Sequence, residues 1–307
     1  MTAEPTIRTA VPADATALAA LWAHAFTPPL APDQWEADPD RFAHTVVAED
    51  ASGLVGSIHG RAKRLREEAG GLAQVHAIGS VAVADRARGH GVARRLVSAT
   101  LSSAQRSGAD WALLFTGTPG VYRSSGFETF TMQRVQAGPW HAAAATAGAG
   151  VRRGRVRPGS SAHWRQAYED SREGVVLAPV RSERDWAMAE VRLAGMRSYA
   201  VEQEGSVRGY AVADAHGGCG ALVEFAVPAA APDRIRAALL AAIAEDWRAA
   251  GVDRCEIAVP ARPADLALVR EFAPEAAPMT DTTGMTRAVG RAPRLSGVRH
   301  FGAGDYF

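Results

Sequence analysis

The chain has 307 residues, of which 47% are hydrophobic and 22% are charged, so it is long enough to bury a large core and to form two domains. Thirty-four basic residues against thirty-three acidic residues give a formal net charge of +1, which gives no reason to expect nucleic acid or an anionic membrane as the main partner. The two cysteines, Cys219 and Cys255, have neither metal-ligand spacing nor the pattern of a disulfide framework, so we expect no metal site and a reducing, cytoplasmic environment.

The N-terminal residues and the most apolar segment argue against export and membrane insertion. Residues 1–5 do not combine a basic run with an apolar stretch, so we expect no secretory signal. The most apolar long segment, 235–243, is flanked by charges and is too short to cross a bilayer. We therefore expect a soluble protein.

The first part of the chain alternates strand and helix signals. Gly79 interrupts the longest apolar run, which indicates a bulge or a close approach by another backbone. The spacing of Val92, Leu96 and Leu101 predicts an amphipathic helix that stops at Gly108. The predicted elements are, in chain order, a strand at 6–9, a helix at 14–26, strands at 44–49, 54–61 and 72–84, the helix from 92 to its stop, a strand at 111–116, a short turn or helix at 120–125, and a strand at 127–134.

A change of composition divides the chain. Residues 137–150 are rich in alanine and glycine, which is typical of an interdomain linker. Beyond them the same order of elements returns, with strands at 197–203, 206–213 and 221–227, a helix at 232–249 and a strand at 254–259. We predict an internal duplication, with a first domain at 1–140, a linker at 141–155, a second domain at 156–290 and a C-terminal tail at 291–307.

A Gly-rich turn follows the long strand and leads directly into the amphipathic helix. Gly89 and Gly91 let the backbone approach a ligand and point successive N–H groups at one place, where the helix dipole adds positive potential. Four arginines surround the turn: Arg86, Arg88, Arg94 and Arg95. The segment therefore predicts a binding site for an anion such as a pyrophosphate.

This segment resembles the acyl-CoA-binding motif of the GNAT superfamily of N-acetyltransferases, written Arg/Gln-x-x-Gly-x-Gly/Ala. Arg86, Gly89 and Gly91 satisfy the motif. Arg88, Gly91 and Ala93 satisfy it in a second, overlapping register. The motif stands between a predicted strand and a predicted helix, which is the context that it requires.

The resemblance extends to Tyr122, Gly126 and Phe127, which match the family's Tyr-x-x-x-Gly-Phe ending. It implies an α/β fold with mixed α+β sheets, built from two tandem acyl-CoA N-acyltransferase (GNAT) domains. The first domain would be catalytic and the second degenerate. The tandem layout is similar to that of enhanced intracellular survival proteins, mycothiol synthase and bleomycin N-acetyltransferase.

The resemblance also implies a cofactor site, with acetyl-CoA as the acyl donor and no need for a metal. The pyrophosphate would rest on the amides of residues 88–93, and the pantetheine arm would pair with the backbone of Val81 and Val83. The amide of Val83 would polarise the thioester carbonyl. The residues predicted to bind the cofactor are Val81, Val83, Arg86, Arg88, Gly89, His90, Gly91, Val92 and Ala93.

Three residues are predicted to act in catalysis. The resemblance makes Tyr122 the general acid that protonates the leaving thiolate. The acceptor amine must lose a proton to a base or a water chain, and His76 is the only titratable side chain on the long strand. The C-terminal carboxylate of Phe307 is a further candidate, because enhanced intracellular survival proteins use theirs in this way. Other residues left open as the base are His59, Glu49, Glu67 and Glu68.

No motif specifies the acceptor. The first hypothesis is acetyl transfer to a primary amine of a small molecule, such as an antibiotic or an amino sugar. The alternatives are a protein or peptide amine, or a non-catalytic acyl-CoA-binding or drug-binding module. Acidic residues that would favour a cationic acceptor are Glu36, Asp38, Asp40, Glu67 and Glu68. We expect a monomer or a homodimer, with no nucleic-acid or membrane partner.

The second half lacks the residues of a phosphate cradle. Counting back from Gly251 as from Gly108 places Pro232 and Arg234 at the two glycine positions. Pro232 has no amide hydrogen, and Asp233 would repel a pyrophosphate. We therefore expect the second domain to bind no cofactor and to pack on the first.

Two further patterns of the first half are interpreted as structural. The basic residues Arg61, Lys63, Arg64 and Arg66 predict a solvated strand end, with a contact to the cofactor's 3′-phosphate as the alternative. The residues Trp22, Trp35 and Trp111 are assigned to packing.

Overall fold

A computed structural model of the protein describes residues 4–27, 32–141 and 150–307. The strands of the first half are β1 (Thr6–Thr9), β2 (Thr45–Asp50), β3 (Gly53–Arg66), β4 (Leu72–Val83), β5 (Trp111–Phe115), β6 (Glu128–Thr129) and β7 (Met132–Pro139). The later strands are β8 (Val151–Arg155), β9 (Val175–Val176), β10 (Arg197–Gln203), β11 (Ser206–His216), β12 (Cys219–Ala226), β13 (Arg254–Ile257), β14 (Ala277–Asp281), β15 (Gly284–Ala288) and β16 (Val298–Arg299).

The α-helices are α1 (Ala15–Ala25), α2 (Pro32–Glu36), α3 (Val92–Arg106), α4 (Gly120–Arg123), α5 (Arg165–Ser171), α6 (Glu183–Arg192), α7 (Asp233–Ala249) and α8 (Pro263–Phe272). Four of them, α1, α3, α4 and α7, lie within about two residues of a predicted helix, whereas α2, α5, α6 and α8 were not predicted. None of the helices in the described ranges combines the length and the apolar character that crossing a membrane requires.

The first sheet has the strand order β1-β2-β3-β4-β5-β15-β6. Short turns join β2, β3 and β4 into an antiparallel meander, and α3 then crosses over to β5, which runs parallel to β4. The pairing of β3 with β4 shifts register between Ser57 and His59, and His59 pairs with Gly79. The irregularity predicted at Gly79 is therefore confirmed.

Helices cover both faces of the first sheet. Val92, Leu96 and Leu101 recur at helical spacing along α3 and pack with Ile58 and Leu114 in one buried cluster. On the opposite face α1 packs against β3 and β4. The tryptophans Trp22, Trp35 and Trp111 are buried, as predicted.

The second sheet repeats this plan, with the order β14-β7-β13-β12-β11-β10-β8. β10, β11 and β12 form an antiparallel meander, and α7 crosses over to β13, which is parallel to β12. Leu239, Ile243 and Trp247 of α7 are buried in the core of this half. The expected mixed α/β fold in a tandem arrangement is confirmed.

The two halves exchange one strand each. β7, which the sequence assigns to the first domain, lies between β13 and β14 in the second sheet. β15, which the sequence assigns to the second domain, pairs with β5 and β6 in the first sheet. The boundaries predicted at 140 and 156 therefore do not separate the sheets, because strand pairing follows long-range contacts that local composition does not report. The single strand predicted at 127–134 is divided between β6 and β7 for the same reason.

The predicted linker lies partly outside the described residues, whereas the predicted tail packs on the first half. Of the linker at 141–155, residues 142–149 lie outside the described residues, and 151–155 form β8 at an edge of the second sheet. The tail at 291–307 returns to the first half, where Phe301 and Phe307 pack with Val75 and Leu113. The end of the tail therefore lies on the face of the first sheet opposite α3.

Candidate functional site

The neighbouring strands β4 and β5 separate at one end of the first sheet. Their parallel pairing ends at Ile78, whereas β4 continues to Val83. The amide of Ala84 donates to the carbonyl of Val55 on β3 at 2.9 Å. Since amides alternate in direction along a strand, those of Val81 and Val83 point away from β3 and into the gap. The gap therefore presents main-chain N–H groups to an extended ligand.

The Gly-rich turn lies at the open end of this gap. Gly89 and Gly91 have φ values of 79° and 75°, a region that side chains other than glycine rarely adopt. Gly91 is the N-cap of α3 and no side chain caps the helix, so the first amides of its 15 residues remain available to an anion. A Cβ added at Gly89 would meet no atom within 4 Å, which shows that the space in front of the turn is open.

The gap, the turn and α4 together line one cleft of about 650 Å³. Residues predicted to bind the cofactor or to act in catalysis that line it are Val81, Val83, Arg88, Gly89, Gly91, Val92, Ala93 and Tyr122. Four other predicted residues do not line it: Arg86, His90, His76 and Phe307. The Arg86 guanidinium pairs with Asp50, and His90 is exposed.

Tyr122 lies in α4 on the wall of the cleft. It is 6% exposed, and its ring packs edge-on against Phe127 at 6.1 Å. Burial raises the pKa of Tyr122 to about 12. The hydroxyl is therefore protonated near neutral pH and is chemically able to act as a proton donor.

The C-terminal tail ends against β4, beside the point where β5 departs. A Cβ added at Gly79 would overlap the main-chain carbonyl of Phe307, so the approach requires glycine at this position. The Phe307 ring lies 6.2 Å from that of Phe115 and 6.0 Å from that of Phe301. A carboxylate at this place, which Phe307 bears when it ends the chain, would lie next to Ile78, the last paired residue of β4.

His76 lies on the other face of β4. Its Nε2 is 2.7 Å from the Thr100 hydroxyl on α3, whereas Val75 and Gly79 face the tail. Burial lowers the pKa of His76 to about 4, so the imidazole is neutral as well as enclosed. The structure makes His76 a core residue beneath α3 and does not bring it to Phe307. Its predicted role as the base is therefore not supported by its position.

Two carboxylates considered as the base are engaged in structural contacts. Glu67 is 4% exposed, accepts a hydrogen bond from Trp111 Nε1 at 2.9 Å and pairs with Arg291 at 2.7 Å. Glu49 pairs with Arg8 at 2.8 Å. Glu49 links β2 to β1, Glu67 links the end of β3 to β5 and to Arg291, and neither carboxylate lines the cleft.

One group of three potential metal ligands, Asp38, His44 and His59, occurs in the described part of the chain. Asp38 Oδ2 is 2.6 Å from His44 Nδ1 and 3.7 Å from His59 Nε2. Burial lowers the pKa of His59 to about 3, which keeps its imidazole neutral. However, Arg184 lies 3.4 Å from Asp38 Oδ1 and also pairs with Asp40. A guanidinium already shares these carboxylates, which disfavours both a divalent ion and a cationic acceptor beside them.

In the second half, residues 228–232 occupy the position of the Gly-rich turn. Arg236 is 2% exposed and donates from Nη1 to the carbonyl of Ala231 at 2.7 Å and from Nη2 to that of Pro228 at 2.6 Å. The carbonyls of this turn therefore point inward at a fixed guanidinium. Sequence analysis missed Arg236, although a charged residue directly after the buried Ile235 of an apolar helix was a usable signal.

Two residues of the basic run are buried, so its interpretation as a solvated strand end is wrong for them. Arg61 and Lys63 are each 3% exposed. Arg61 Nη2 is 2.6 Å from Asp185 Oδ1, and Lys63 Nζ donates to the main-chain carbonyl of Asp305 at 2.8 Å. Both face the second half and the tail, because alternate residues of β3 share one face. The two partners lie 124 and 242 residues away, where no local pattern could indicate them.

Comparison with known proteins supports the identity of the first half. Residues 6–130, which include the cleft and its turn, match the family model described as acetyltransferase (GNAT) domain. No curated protein matches the chain.

Solved structures resemble the chain over nearly its whole length. A probable N-acyltransferase from Enterococcus faecalis is 17% identical, with a TM-score of 0.75 over 94% of this chain and 73% of that one. A GCN5-related N-acetyltransferase from Anabaena variabilis is 14% identical, with a TM-score of 0.75 over 93% of this chain and 73% of that one. Eis1 from Mycobacterium abscessus is 16% identical, with a TM-score of 0.66 over 93% and 73%. At this level of identity the likeness shows a shared fold.

Proposed function

We propose that the chain, an acyltransferase whose residues 6–130 match the acetyltransferase (GNAT) domain model, transfers the acetyl group of acetyl-CoA to a primary amine of a small molecule. The main support is the single cleft that joins the outward amides of β4, the Gly-rich turn and Tyr122. When bound there, acetyl-CoA would supply an activated thioester.

Binding of the cofactor would use main-chain groups. The amides at the start of α3, from Gly91 to Ala93, would hold the pyrophosphate, with the Arg88 guanidinium at the edge of the same cleft. The amides of Val81 and Val83 would pair with the pantetheine arm along the gap beside β4. Because β5 no longer pairs with β4 beyond Ile78, the pantetheine arm would lie beside β4 where a paired strand would otherwise be.

Two groups of the chain would stabilise the reaction. The N–H of Val83 points into the gap and would donate to the carbonyl oxygen as negative charge develops on it. The hydroxyl of Tyr122, which burial keeps protonated, would give its proton to the sulfur as the carbon–sulfur bond breaks.

The amine must attack in its neutral form, so a base must take its proton. The carboxyl group of Phe307 is our proposal for this base, since it lies against Gly79 beside the gap, whereas His76 is enclosed under α3. Transfer to a protein or peptide amine is the alternative activity. A non-catalytic acyl-CoA-binding or drug-binding module is the second alternative, and the presence of Tyr122 in the cleft favours turnover over it.

The test is release of CoA thiol when the purified chain meets acetyl-CoA and a panel of amines that includes aminoglycosides, amino sugars, polyamines and lysine peptides. We expect turnover with small amines, and Tyr122→Phe should lower kcat by roughly 10²-fold with an unchanged Kd for acetyl-CoA. Tyr199→Phe, which removes a buried hydroxyl in the second half, is the matched control and should keep the wild-type kcat. Turnover with peptides alone would favour the alternative acceptor, and binding without any turnover would leave the non-catalytic module.

A further inference from the structure

A cluster of charged side chains is buried where the two halves and the tail meet. Its members are Arg61, Lys63, Arg181, Asp185, Glu224 and Asp305, and each is at most 7% exposed. Three are basic and three are acidic, and the fully buried Arg172 adds positive charge near Asp305. We call these six residues the buried charge cluster.

The second half holds the side chain of Asp305. Arg181 Nε lies 2.8 Å from Asp305 Oδ1, and Arg181 Nη2 lies 2.5 Å from Glu224 Oε2 on β12. The Tyr168 hydroxyl donates to Asp305 Oδ1 at 3.2 Å. Burial alone would raise the pKa of Asp305, but Arg181 and Lys63 outweigh it and lower that pKa. Asp305 is therefore ionised and fixed by the second half.

The first half holds the main chain of the same residue. Lys63 Nζ donates to the carbonyl oxygen of Asp305 at 2.8 Å and lies 3.0 Å from Asp185 Oδ1. Arg61 pairs with the same oxygen, and its Nη2 lies 2.6 Å from Asp185 Oδ1. Both halves therefore hold Asp305. Arg181 of the second half binds its side chain, and Lys63 of the first half binds its main-chain carbonyl.

The contacts of Asp305 restrict where the last residue, Phe307, can lie. Phe307 is two residues beyond Asp305, so its reach from the anchored residue is about 7 Å at full extension. Its main-chain carbonyl lies against Gly79, where a Cβ would overlap it. Small displacements of a reacting group cost rate steeply, about 10²-fold for an error near 1 Å. Anchoring Asp305 would therefore control how well Phe307 serves the site.

We propose that Arg181 is a positioning residue, which uses the ionised Asp305 to hold the end of the tail against Gly79 of β4. A buried ion pair stabilises a fold no better than apolar packing of the same volume, but loss of one partner leaves a buried charge without compensation. The cluster therefore sets where the tail lies. The second half, which has Arg236 in place of a cofactor cradle, would contribute to the reaction by this contact.

The proposal rests on the role of Phe307 proposed above, so the experiment measures the tail separately from activity. Asp305→Asn keeps the volume of the side chain but removes its charge. Hydrogen exchange of peptides covering 298–307, followed by mass spectrometry, should be roughly tenfold or more faster in this variant because the tail opens locally. Its kcat should fall at least about tenfold, with Kd for acetyl-CoA unchanged.

Two further variants separate a positioning role from general stability. Asp265→Asn removes a buried carboxylate of the same half whose ion-pair partners, Arg262 at 2.5 Å and Arg236 at 3.9 Å, both lie outside the tail, and it should leave tail exchange and kcat as in the wild type. Arg181→Lys keeps a positive charge that can pair with Asp305, but a lysine ammonium cannot also bind Glu224 as the planar guanidinium does. Tail exchange and kcat of this variant should therefore be intermediate between those of the wild type and Asp305→Asn.

Deletion of Phe307 distinguishes the two proposals. If the deletion leaves kcat unchanged while Asp305→Asn still speeds tail exchange, the role of Phe307 as the base is wrong and the anchoring of the tail stands. If tail exchange in a folded Asp305→Asn variant equals that of the wild type, or if Asp265→Asn speeds it equally, the positioning proposal is wrong whatever the activities are.

Discussion

The turn that precedes the long helix is built in opposite ways in the two halves. In the first half Gly89 and Gly91 have positive φ, and the amides at the start of α3 face an open cleft. In the second half the guanidinium of Arg236 binds the carbonyls of Pro228 and Ala231 from within. The same order of strand, turn and helix therefore gives an open turn with uncapped helix amides in one copy and a turn filled by an arginine in the other. The fold alone does not determine the function of either half.

The largest expected effect is on the open turn. Gly89→Asp combined with Gly91→Asp places two carboxylates before a pyrophosphate and forces two residues with side chains into positive φ. We expect the affinity for acetyl-CoA to fall by at least about 10²-fold, which corresponds to roughly 3 kcal/mol. Isothermal titration of the variant, with its fold checked by circular dichroism, measures this.

The matched control for that variant is Gly251→Asp, a glycine of the second half with φ of 67° and no atom within 4 Å of an added Cβ. It introduces one strained residue and one carboxylate, half of what the double variant introduces, away from the cleft. We expect it to bind acetyl-CoA as the wild type does. Equal binding by the double variant and the control would show that the open turn is not the pyrophosphate site.

The second effect is on the closed turn. Arg236→Met removes the guanidinium donor to the carbonyl of Ala231, one of the two donors to that of Pro228, and the positive partner near Asp265. We expect the free energy of unfolding to fall by about 3–5 kcal/mol, with no change in the affinity or stoichiometry of acetyl-CoA. Denaturant unfolding and titration measure the two quantities. The exposed Arg234→Met is the control, and a changed affinity in Arg236→Met would contradict the separation of roles.

The third effect concerns the acid stability of the first half. Burial lowers the pKa of His76 to about 4 in the folded chain, whereas the unfolded chain binds this proton near the ordinary value of 6.5. His76 therefore costs the folded state nothing above pH 6.5 and destabilises it progressively as the pH falls from 6.5 towards 4, by up to about 1.4 kcal/mol per pH unit. The variant His76→Gln keeps a hydrogen-bonding group for Thr100 but does not titrate. The pH dependence of its free energy of unfolding should therefore lack this contribution.

The free energies of unfolding of the wild type and of His76→Gln, measured between pH 7 and 4.5, test this prediction. An identical slope in the variant would mean that His76 titrates normally, and it would reopen its interpretation as the base. A slope reduced by about the stated amount would support its placement under α3.

The sequence was most informative where function depends on local backbone geometry. The turn at Gly89 and Gly91 and the motif at Tyr122 each need a residue type that the structure explains within a few residues of chain, whereas the glycine at position 79 is explained by the approach of Phe307. The absence of a cradle in the second half could also be predicted, because Pro232 lacks an amide hydrogen. Arg236, which fills the place instead, was not found.

The contacts between the halves could not be predicted from local patterns. Arg181 and Asp305 are 124 residues apart, and the exchange of β7 and β15 depends on pairing across the whole chain. Arg61 and Lys63 have the composition of a solvated strand end, and only their partners show that they are buried. His76 was singled out because it is alone on its strand, but the alternation of side chains places it on the face away from the tail.

The measurement that tests this account most directly is the stoichiometry of acetyl-CoA binding to the full chain by isothermal titration. An open turn in the first half and an arginine-filled turn in the second predict one acetyl-CoA per chain. Two per chain would contradict the closed second half, and none would contradict the assignment of the cleft between β4, α3 and Tyr122 as the acyl-donor site.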